Sequence, residues 1–209
     1  MSLPVPSEWL IAPVAYLLGS IPFGFLIVKV RGGPDIRAAG SGNIGATNVT
    51  RVVGAGAGVL TLLLDAGKGY LAVWLAARVS EGNITWTTVA VLEVILGHLF
   101  PVWLKFRGGR GVATGLGALL LICAPAVLAA AVIWLVVVLI WRYVSLGSIV
   151  ASAALPLLTY WLYAPGYGPP WPVSIGVTLA ALLIIAKHRP NLGRLMAGTE
   201  SRLTLRKSK

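Results

Sequence analysis

The feature that most constrains the fold is a series of long apolar stretches without charged residues. Residues 9–28 are uncharged over 20 positions, and residues 111–141 are uncharged over 31. A helix of about 20 apolar residues crosses the hydrocarbon core of a bilayer. Because 57% of the 209 residues are hydrophobic and 11% are charged, an ordinary soluble domain is excluded. The sequence predicts an all-α polytopic membrane protein with a single domain over residues 1–209.

Seven apolar segments are predicted, two of them short. They are residues 9–28, 52–77, 84–104, 111–124, 125–141, 144–163 and 173–186, where the division within 111–141 is placed at Pro125. The first segment lacks a basic leader and exceeds the apolar region of a signal peptide, so we expect a retained helix. Segments 111–124 and 173–186 have 14 residues each and reach only ~21 Å as helices. We expect them to stop part-way through the bilayer or to thin it beside polar loops.

The positions of the basic residues predict the orientation. With seven segments and the N-terminus outside, 15 of the 17 Lys and Arg residues lie in cytoplasmic loops or the C-terminal tail. A single helix over 111–141 would place the seven basic residues from Lys187 onward outside, against the positive-inside tendency. The formal charge of +11 is therefore explained by the membrane topology and not by nucleic-acid binding, since no nucleic-acid-binding motif accompanies it. We predict a cytoplasmic C-terminus and no nucleic-acid partner.

Three polar runs interrupt the apolar sequence on the predicted cytoplasmic side. The first run is GSGNIGATN at residues 40–48, the second is KFRGGRG at 105–111, and the third is KHRPNLGR at 187–194. Free backbone N–H groups, hydroxyls, amides and cations are the groups that hold phosphate. Brought together by the fold, the three runs would form a membrane-embedded site for phosphorylated molecules.

The first run matches the glycine spacing of a dinucleotide-binding fingerprint, with Asp65 twenty residues after its last glycine. That fingerprint requires a preceding strand, whereas a membrane helix precedes this run, so the match is set aside. The run instead offers donors before a helix that we expect to begin near Arg51, and a helix N-terminus attracts anions. A flexible loop with capping residues is the alternative. The donors are Ser41, Asn43, Thr47 and Asn48.

Arg110 and His188 are the candidate substrate-binding residues of the second and third runs. The positive-inside rule by itself explains Lys105 and Arg107. Arg110 differs because it lies between glycines at the start of a helix, where it can turn inward beside unpaired amides. His188 lies in the same predicted cytoplasmic cluster, although a lone histidine is more often structural.

The few acidic residues have structural interpretations. Asp65 and Lys68 are i, i+3 neighbours on one helix face, so we expect a self-neutralising pair within the membrane. Glu200 lies in a basic tail, where neutralising Arg189 or Arg194 is its simplest role.

The three runs resemble, in order, the three signature motifs of the bacterial acyl-phosphate-dependent glycerol-3-phosphate acyltransferases. The matching sequences are GSGNIGATN, FRGGRGVAT, and KHRPNLGRL followed by GTE. The resemblance covers nearly the whole chain and includes the Gly97-His98 pair. The family more often has lysine at the position of Arg110. Arginine keeps the charge but presents a planar fork in place of a point donor.

The resemblance implies an enzyme of the bacterial inner membrane with a cytoplasmic active site. It would transfer a fatty acyl group from acyl phosphate to the 1-hydroxyl of sn-glycerol 3-phosphate, giving lysophosphatidic acid and inorganic phosphate. No metal or other cofactor is implied, and membrane lipid is the expected surrounding. The implied catalytic residues are Arg51, Arg110, His188 and Asn191. The implied substrate-binding residues are Ser41, Gly42, Asn43, Thr47, Gly108, Gly109, Gly111, Ser145 and Glu200.

The proton acceptor has two candidates, His188 and the substrate itself. The phosphate of glycerol 3-phosphate has a second pKa of about 6, as other phosphate monoesters do, and it arrives with the nucleophile. We hypothesise substrate-assisted deprotonation in which His188 and Asn191 orient the phosphate.

A small membrane carrier for phosphorylated solutes is the alternative function. Such carriers usually have repeated halves and a site near the bilayer midplane. This sequence shows no repeat, and its polar runs all lie on one predicted face. A non-enzymatic scaffold leaves the three donor-rich runs unexplained. The sequence predicts no oligomeric state.

Overall fold

Helices joined by loops make up nearly all the regular secondary structure in the residues that the structure describes. The computed structural model describes residues 7–164 and 166–203, and the only β pairing in these ranges is an isolated bridge between Ala164 and Tyr167. Short 3-10 turns cover Ser7–Leu10 and Val102–Leu104. The predicted all-α class is confirmed. The α-helices are α1 Ile11–Ser20, α2 Phe23–Val30, α3 Ala46–Val53, α4 Ala55–Val79, α5 Ile84–Leu99, α6 Val112–Trp141, α7 Val144–Leu162, α8 Trp171–Lys187 and α9 Arg189–Met196.

Five described stretches are long and apolar enough to span a membrane, or six if a bent pair of helices is counted as one span. The pair is α8 and α9, which meet at an angle of 53°. This count treats α6 as one stretch, so the seven predicted segments stay a prediction, as does the orientation of the two termini. The five stretches are Ser7–Val30, Ala55–Val79, Ile84–Leu104, Val112–Trp141 and Val144–Leu162.

The backbone of α6 leaves the helical conformation at Cys123, where φ is −154° and ψ is 84°. Pro125 follows two residues later; proline has no N–H to donate, and its ring clashes with the carbonyl four residues earlier. The break therefore lies close to the predicted division. It is also where the chain separates into two compact units, Met1–Ile122 and Cys123–Lys209. The single-domain assignment stays a prediction.

Two predicted helix boundaries are wrong. The first apolar segment is not one continuous helix, because the chain breaks at Ile21 and Pro22 between α1 and α2. The helix after the first run begins at Ala46 and not near Arg51, which lies in the last turn of α3. Gly54, with φ +99°, then separates α3 from α4. Only glycine adopts such a backbone conformation at little cost.

Glycines bring the helices of the first unit into close contact. On α1, Gly19 packs against the backbone of Val94, and Gly97 on α5 packs against the carbonyl of Tyr16. Similarly, Gly69 on α4 lies against the carbonyl of Thr114 at the start of α6. Small residues allow this approach, which supplies van der Waals contact where lipid provides no hydrophobic driving force.

Candidate active site

The first run folds around the side chain of Asn48. Its Nδ2 donates to Asn43 O at 2.8 Å and to Ala39 O at 2.9 Å, and its Oδ1 accepts from Ser41 N at 2.8 Å. Gly40 has φ +59°, and Asn48 Oδ1 occupies the space that a Cβ at this glycine would need. Because its amide bonds the loop itself and its side chain is buried, Asn48 organises the loop. The prediction that Asn48 is a donor for phosphate is therefore wrong.

The other predicted residues of the first run remain accessible. Thr47 and Arg51 are separated by four residues in α3, so their side chains share one face of that helix. No side chain caps the N-terminus of α3 at Gly45, so its first amides remain available to an anion. Ser41, Asn43 and Thr47 are half-buried, whereas Gly42 and Arg51 are exposed.

One apolar core lies beneath both the first run and the turn that leads into the second. Ile44 from the first run and Leu104 from the 3-10 turn belong to the same buried cluster. Packing on a shared core fixes these backbone segments through apolar contacts, and such contacts use none of the hydrogen-bond donors of the two segments. The cluster consists of Val28, Ile36, Ile44, Val49, Ala57 and Leu104.

The second run folds back onto the C-terminal end of α5. Gly108 N donates to Leu99 O at 3.2 Å, and Gly109 N donates to His98 O at 3.0 Å. Gly111 has φ +83°, after which α6 begins at the next residue. Arg110, between these glycines, is half-buried. Lys105 and Arg107, which precede Arg110 in the run, are exposed.

The predicted pair of Asp65 and Lys68 is confirmed and has a third member. Lys68 Nζ lies 2.9 Å from Asp65 Oδ1, and His98 Nδ1 lies 3.6 Å from the same oxygen. All three side chains are buried. Sequence spacing does not relate His98 to Asp65, because the two residues lie on different helices.

In the second unit, Glu200 gathers three donors. Ser145 Oγ and Asn191 Nδ2 each donate to its Oε1 at 2.7 Å, and Arg194 Nε donates to its Oε2 at 2.7 Å. Of the two predicted partners, Arg194 is therefore the one that pairs with Glu200. Burial acts to raise the pKa of Glu200, but these hydrogen bonds outweigh it and hold the pKa below its ordinary value. The carboxylate thus positions Ser145 and Asn191, while direct contact between Glu200 and a substrate stays a prediction.

His188 lies at the junction of α8 and α9 with a defined hydrogen bond. Its Nδ1 lies 2.8 Å from Ile184 O. Because a carbonyl oxygen only accepts, Nδ1 carries the hydrogen, and a neutral His188 then has an acceptor at Nε2. Donation from Nε2 to a phosphate requires the imidazolium form. Nearby in sequence, Asn191 Oδ1 is buried and has no hydrogen-bond partner within residues 7–164 and 166–203.

Metal ligands do not cluster in the described residues. No group of three or more His, Cys, Asp and Glu side chains there could hold a metal ion.

Comparison with known proteins gives the family. Residues 9–198 match the family described as glycerol-3-phosphate acyltransferase. The chain belongs to the glycerol-3-phosphate acyltransferase family. It is 48% identical over 195 residues to the glycerol-3-phosphate acyltransferase of Gluconobacter oxydans (strain 621H), covering 93% of this chain and 92% of that protein. It is 43% identical over 197 residues to that of Syntrophotalea carbinolica (strain DSM 2380), covering 94% and 97%.

Two crystal structures of PlsY, described as an integral membrane glycerol 3-phosphate acyltransferase, have the same fold. The glycerol 3-phosphate form has a TM-score of 0.86 and 42% identity, covering 95% of this chain and 96% of that one. The lysophosphatidic acid form has a TM-score of 0.83 and 40% identity over the same shares. The family resemblance and the integral-membrane class are confirmed, whereas the roles of individual site residues stay predictions.

Proposed function

We propose that this protein transfers a fatty acyl group from acyl phosphate to the 1-hydroxyl of sn-glycerol 3-phosphate, at the cytoplasmic face of the bacterial inner membrane. Membership of the family supports the acyltransferase activity and disfavours the carrier alternative. The solved relatives in glycerol 3-phosphate and lysophosphatidic acid forms support the acceptor and product. The observation that carries the proposal is the set of polar groups in the three runs. The three runs present amides, hydroxyls and cations, and the nearby acid Glu200 is neutralised by Arg194.

The proposed roles divide between the two phosphate-bearing substrates. The first run binds acyl phosphate, which fits a glycine-rich loop with an uncapped helix N-terminus. Cations, the Ser145 hydroxyl and the Asn191 amide hold glycerol 3-phosphate, since the N–H groups of Gly108 and Gly109 already donate to Leu99 O and His98 O. The residues for acyl phosphate are Ser41, Gly42, Asn43 and Thr47. Those for glycerol 3-phosphate are Arg51, Arg110, Ser145, His188 and Asn191. The associated substrate-binding residues are Glu200 and the glycines that form the turn of the second run, Gly108, Gly109 and Gly111.

The reaction requires no covalent enzyme intermediate. The hydroxyl oxygen attacks the acyl carbon of the mixed anhydride, an ester bond forms, and the bond from the acyl carbon to the phosphate oxygen breaks. Phosphate is already a good leaving group, and fixed cations and amides stabilise the charge that develops. Holding the hydroxyl against the acyl carbon lowers the barrier further.

In this proposal, the proton of the hydroxyl passes to the phosphate dianion of glycerol 3-phosphate. His188 then binds phosphate through Nε2 as imidazolium, since its Nδ1 is bonded to Ile184 O. Asn191 is held by Glu200 at 2.7 Å and so presents its amide in one orientation. Both residues orient the substrate and neither acts as the base.

The donor class is tested with purified protein and radiolabelled glycerol 3-phosphate. We expect lysophosphatidic acid to form with palmitoyl phosphate and not with palmitoyl coenzyme A. Equal rates with both donors would overturn the donor class. Absence of product with either donor, in protein that unfolds cooperatively, would overturn the activity itself.

The phosphate contacts are tested by arginine substitutions. Losing a charge-assisted hydrogen bond costs ~1.5–3 kcal/mol, so Arg51→Ala and Arg110→Ala should each lower kcat/KM for glycerol 3-phosphate by more than about tenfold. Arg110→Lys should retain more activity than Arg110→Ala. The matched control is Arg107→Ala, because Arg107 is exposed in the same run. If the substitutions at Arg51 and Arg110 behave like this control, the two arginines do not bind the substrate.

A further inference from the structure

A buried polar cluster lies directly against the second run. The cluster consists of Asp65, Lys68 and His98, with side chains that are at most 4% exposed. Lys68 Nζ also donates to Ile21 O at 2.7 Å, at the break between α1 and α2, and lies 5.6 Å from the centre of the Phe23 ring. The cluster therefore connects α4, the α1–α2 break and the end of α5.

The His98 residue supports the second run through two different contacts. Its backbone carbonyl accepts from Gly109 N at 3.0 Å. The Nε2 edge of its imidazole lies against the α-carbon of Gly109, in the space that a Cβ would occupy. Asp65 faces the opposite edge of the ring, at Nδ1. The ring is thus held between a buried carboxylate and the backbone that immediately precedes Arg110.

Helix packing alone does not account for these ionisable groups. Glycines already provide the close contact of α1 with α5 and of α4 with α6. Ionisable side chains within a membrane protein are energetically expensive and are typical of functional sites. A buried ion pair is also weak evidence for stability, since apolar side chains of similar volume often stabilise as well or better.

We propose that Asp65, Lys68 and His98 are positioning residues for glycerol 3-phosphate. Lys68 neutralises Asp65 and fixes it to the α1–α2 break, and Asp65 orients the imidazole of His98. That imidazole supports Gly109, so Arg110 and the following amides are held where a phosphate binds. None of the three residues contacts the substrate in this arrangement. The proposal rests on the proposed role of Arg110 in binding phosphate.

Replacing His98 with asparagine or with glutamine tests the Asp65 side and the Gly109 side of the ring separately. An asparagine amide reaches the Asp65 side but leaves the Gly109 side empty, whereas a glutamine amide reaches toward Gly109. We expect His98→Asn to raise KM for glycerol 3-phosphate by about tenfold with kcat changed by less than about threefold. His98→Gln should have a KM closer to that of the wild type. The matched control on α5 is Thr88→Val, because Thr88 is buried but bonds only to Ile84 O.

A double-mutant cycle tests whether the His98 ring and the second run act as one unit. Gly109→Ala adds a methyl group where the His98 ring lies, so this single substitution should by itself raise KM for glycerol 3-phosphate. If ring and loop act as one unit, adding Gly109→Ala to His98→Asn should raise KM by much less than the product of the single effects. A multiplicative result would overturn the proposal, as would wild-type KM in folded His98→Asn. Wild-type KM in Arg110→Ala would instead refute the proposed role of the second run.

Discussion

Replacing Glu200 tests whether one carboxylate organises the second unit of this acyltransferase. Its two oxygens accept from Ser145, Asn191 and Arg194, each at 2.7 Å, and its side chain is 8% exposed. Glu200→Ala removes both acceptor oxygens and with them all three hydrogen bonds. Glu200→Gln keeps one acceptor oxygen but loses the charge. The matched control is Glu81→Gln, since Glu81 is an exposed acid in the first unit.

The expected loss follows from the burial of the three donors. A hydrogen bond to a charged group contributes about 1.5–3 kcal/mol, and Ser145 and Asn191 are both buried. The side chain of Arg194 is 38% exposed, so solvent screens its ion pair, which we discount to less than ~1 kcal/mol. Neighbouring bonds are not additive, so we expect Glu200→Ala to lower the free energy of unfolding by ~3–5 kcal/mol. For Glu200→Gln we expect a loss of ~1–2 kcal/mol.

Thermal unfolding of the purified protein in detergent measures the effect. Each kcal/mol shifts the midpoint by roughly 2–4 °C in a protein of this size, so Glu200→Ala should unfold roughly 6–20 °C below the wild type. Glu81→Gln should differ by less than ~0.5 kcal/mol from the wild type. If Glu200→Ala and the control unfold at the same temperature, Glu200 does not organise this unit.

The same carboxylate gives a pH dependence with a defined sign. The folded pKa of Glu200 lies below its ordinary value of 4.5. Its ionised form therefore stabilises the protein fully above that pH, and the contribution is lost as pH falls through the folded pKa. The difference in midpoint between wild type and Glu200→Gln should be constant near neutral pH and shrink below pH 4.5. A difference that grew on acidification would contradict this reasoning.

Two further predictions concern the proton acceptor and the topology. His188→Gln can donate a hydrogen bond but cannot take up a proton, so steady-state kinetics should show a raised KM with substantial kcat; a kcat loss of about 10²–10⁴ at unchanged KM would identify a general base. Single cysteines placed in a Cys123→Ala background should react with a membrane-impermeant reagent in intact cells at 80–86 and 164–172. They should be protected at 40–48 and 195–205, and labelling there would refute the predicted orientation.

Local spacing and hydropathy were enough to predict several features of this protein. The uncharged stretch 111–141 predicts a membrane-spanning helical region because bilayer thickness sets the required length. Pro125 predicts a break within it because proline lacks the N–H that a helix needs, and the backbone departs from the helix nearby, at Cys123. Asp65 and Lys68 were predicted to pair because i, i+3 spacing alone brings two side chains together on a helix.

Contacts between residues distant in sequence were decided only by the tertiary structure. Ser145 and Glu200 are 55 residues apart, and no spacing rule relates them. Asn48 has a side-chain amide that could donate to phosphate, but the fold of its loop directs that amide to backbone carbonyls. His98 meets Asp65 because α4 and α5 pack side by side. Hydropathy and helical periodicity are properties of short segments. The partner of a buried polar group depends instead on which helices pack together, and that is specified by the fold as a whole.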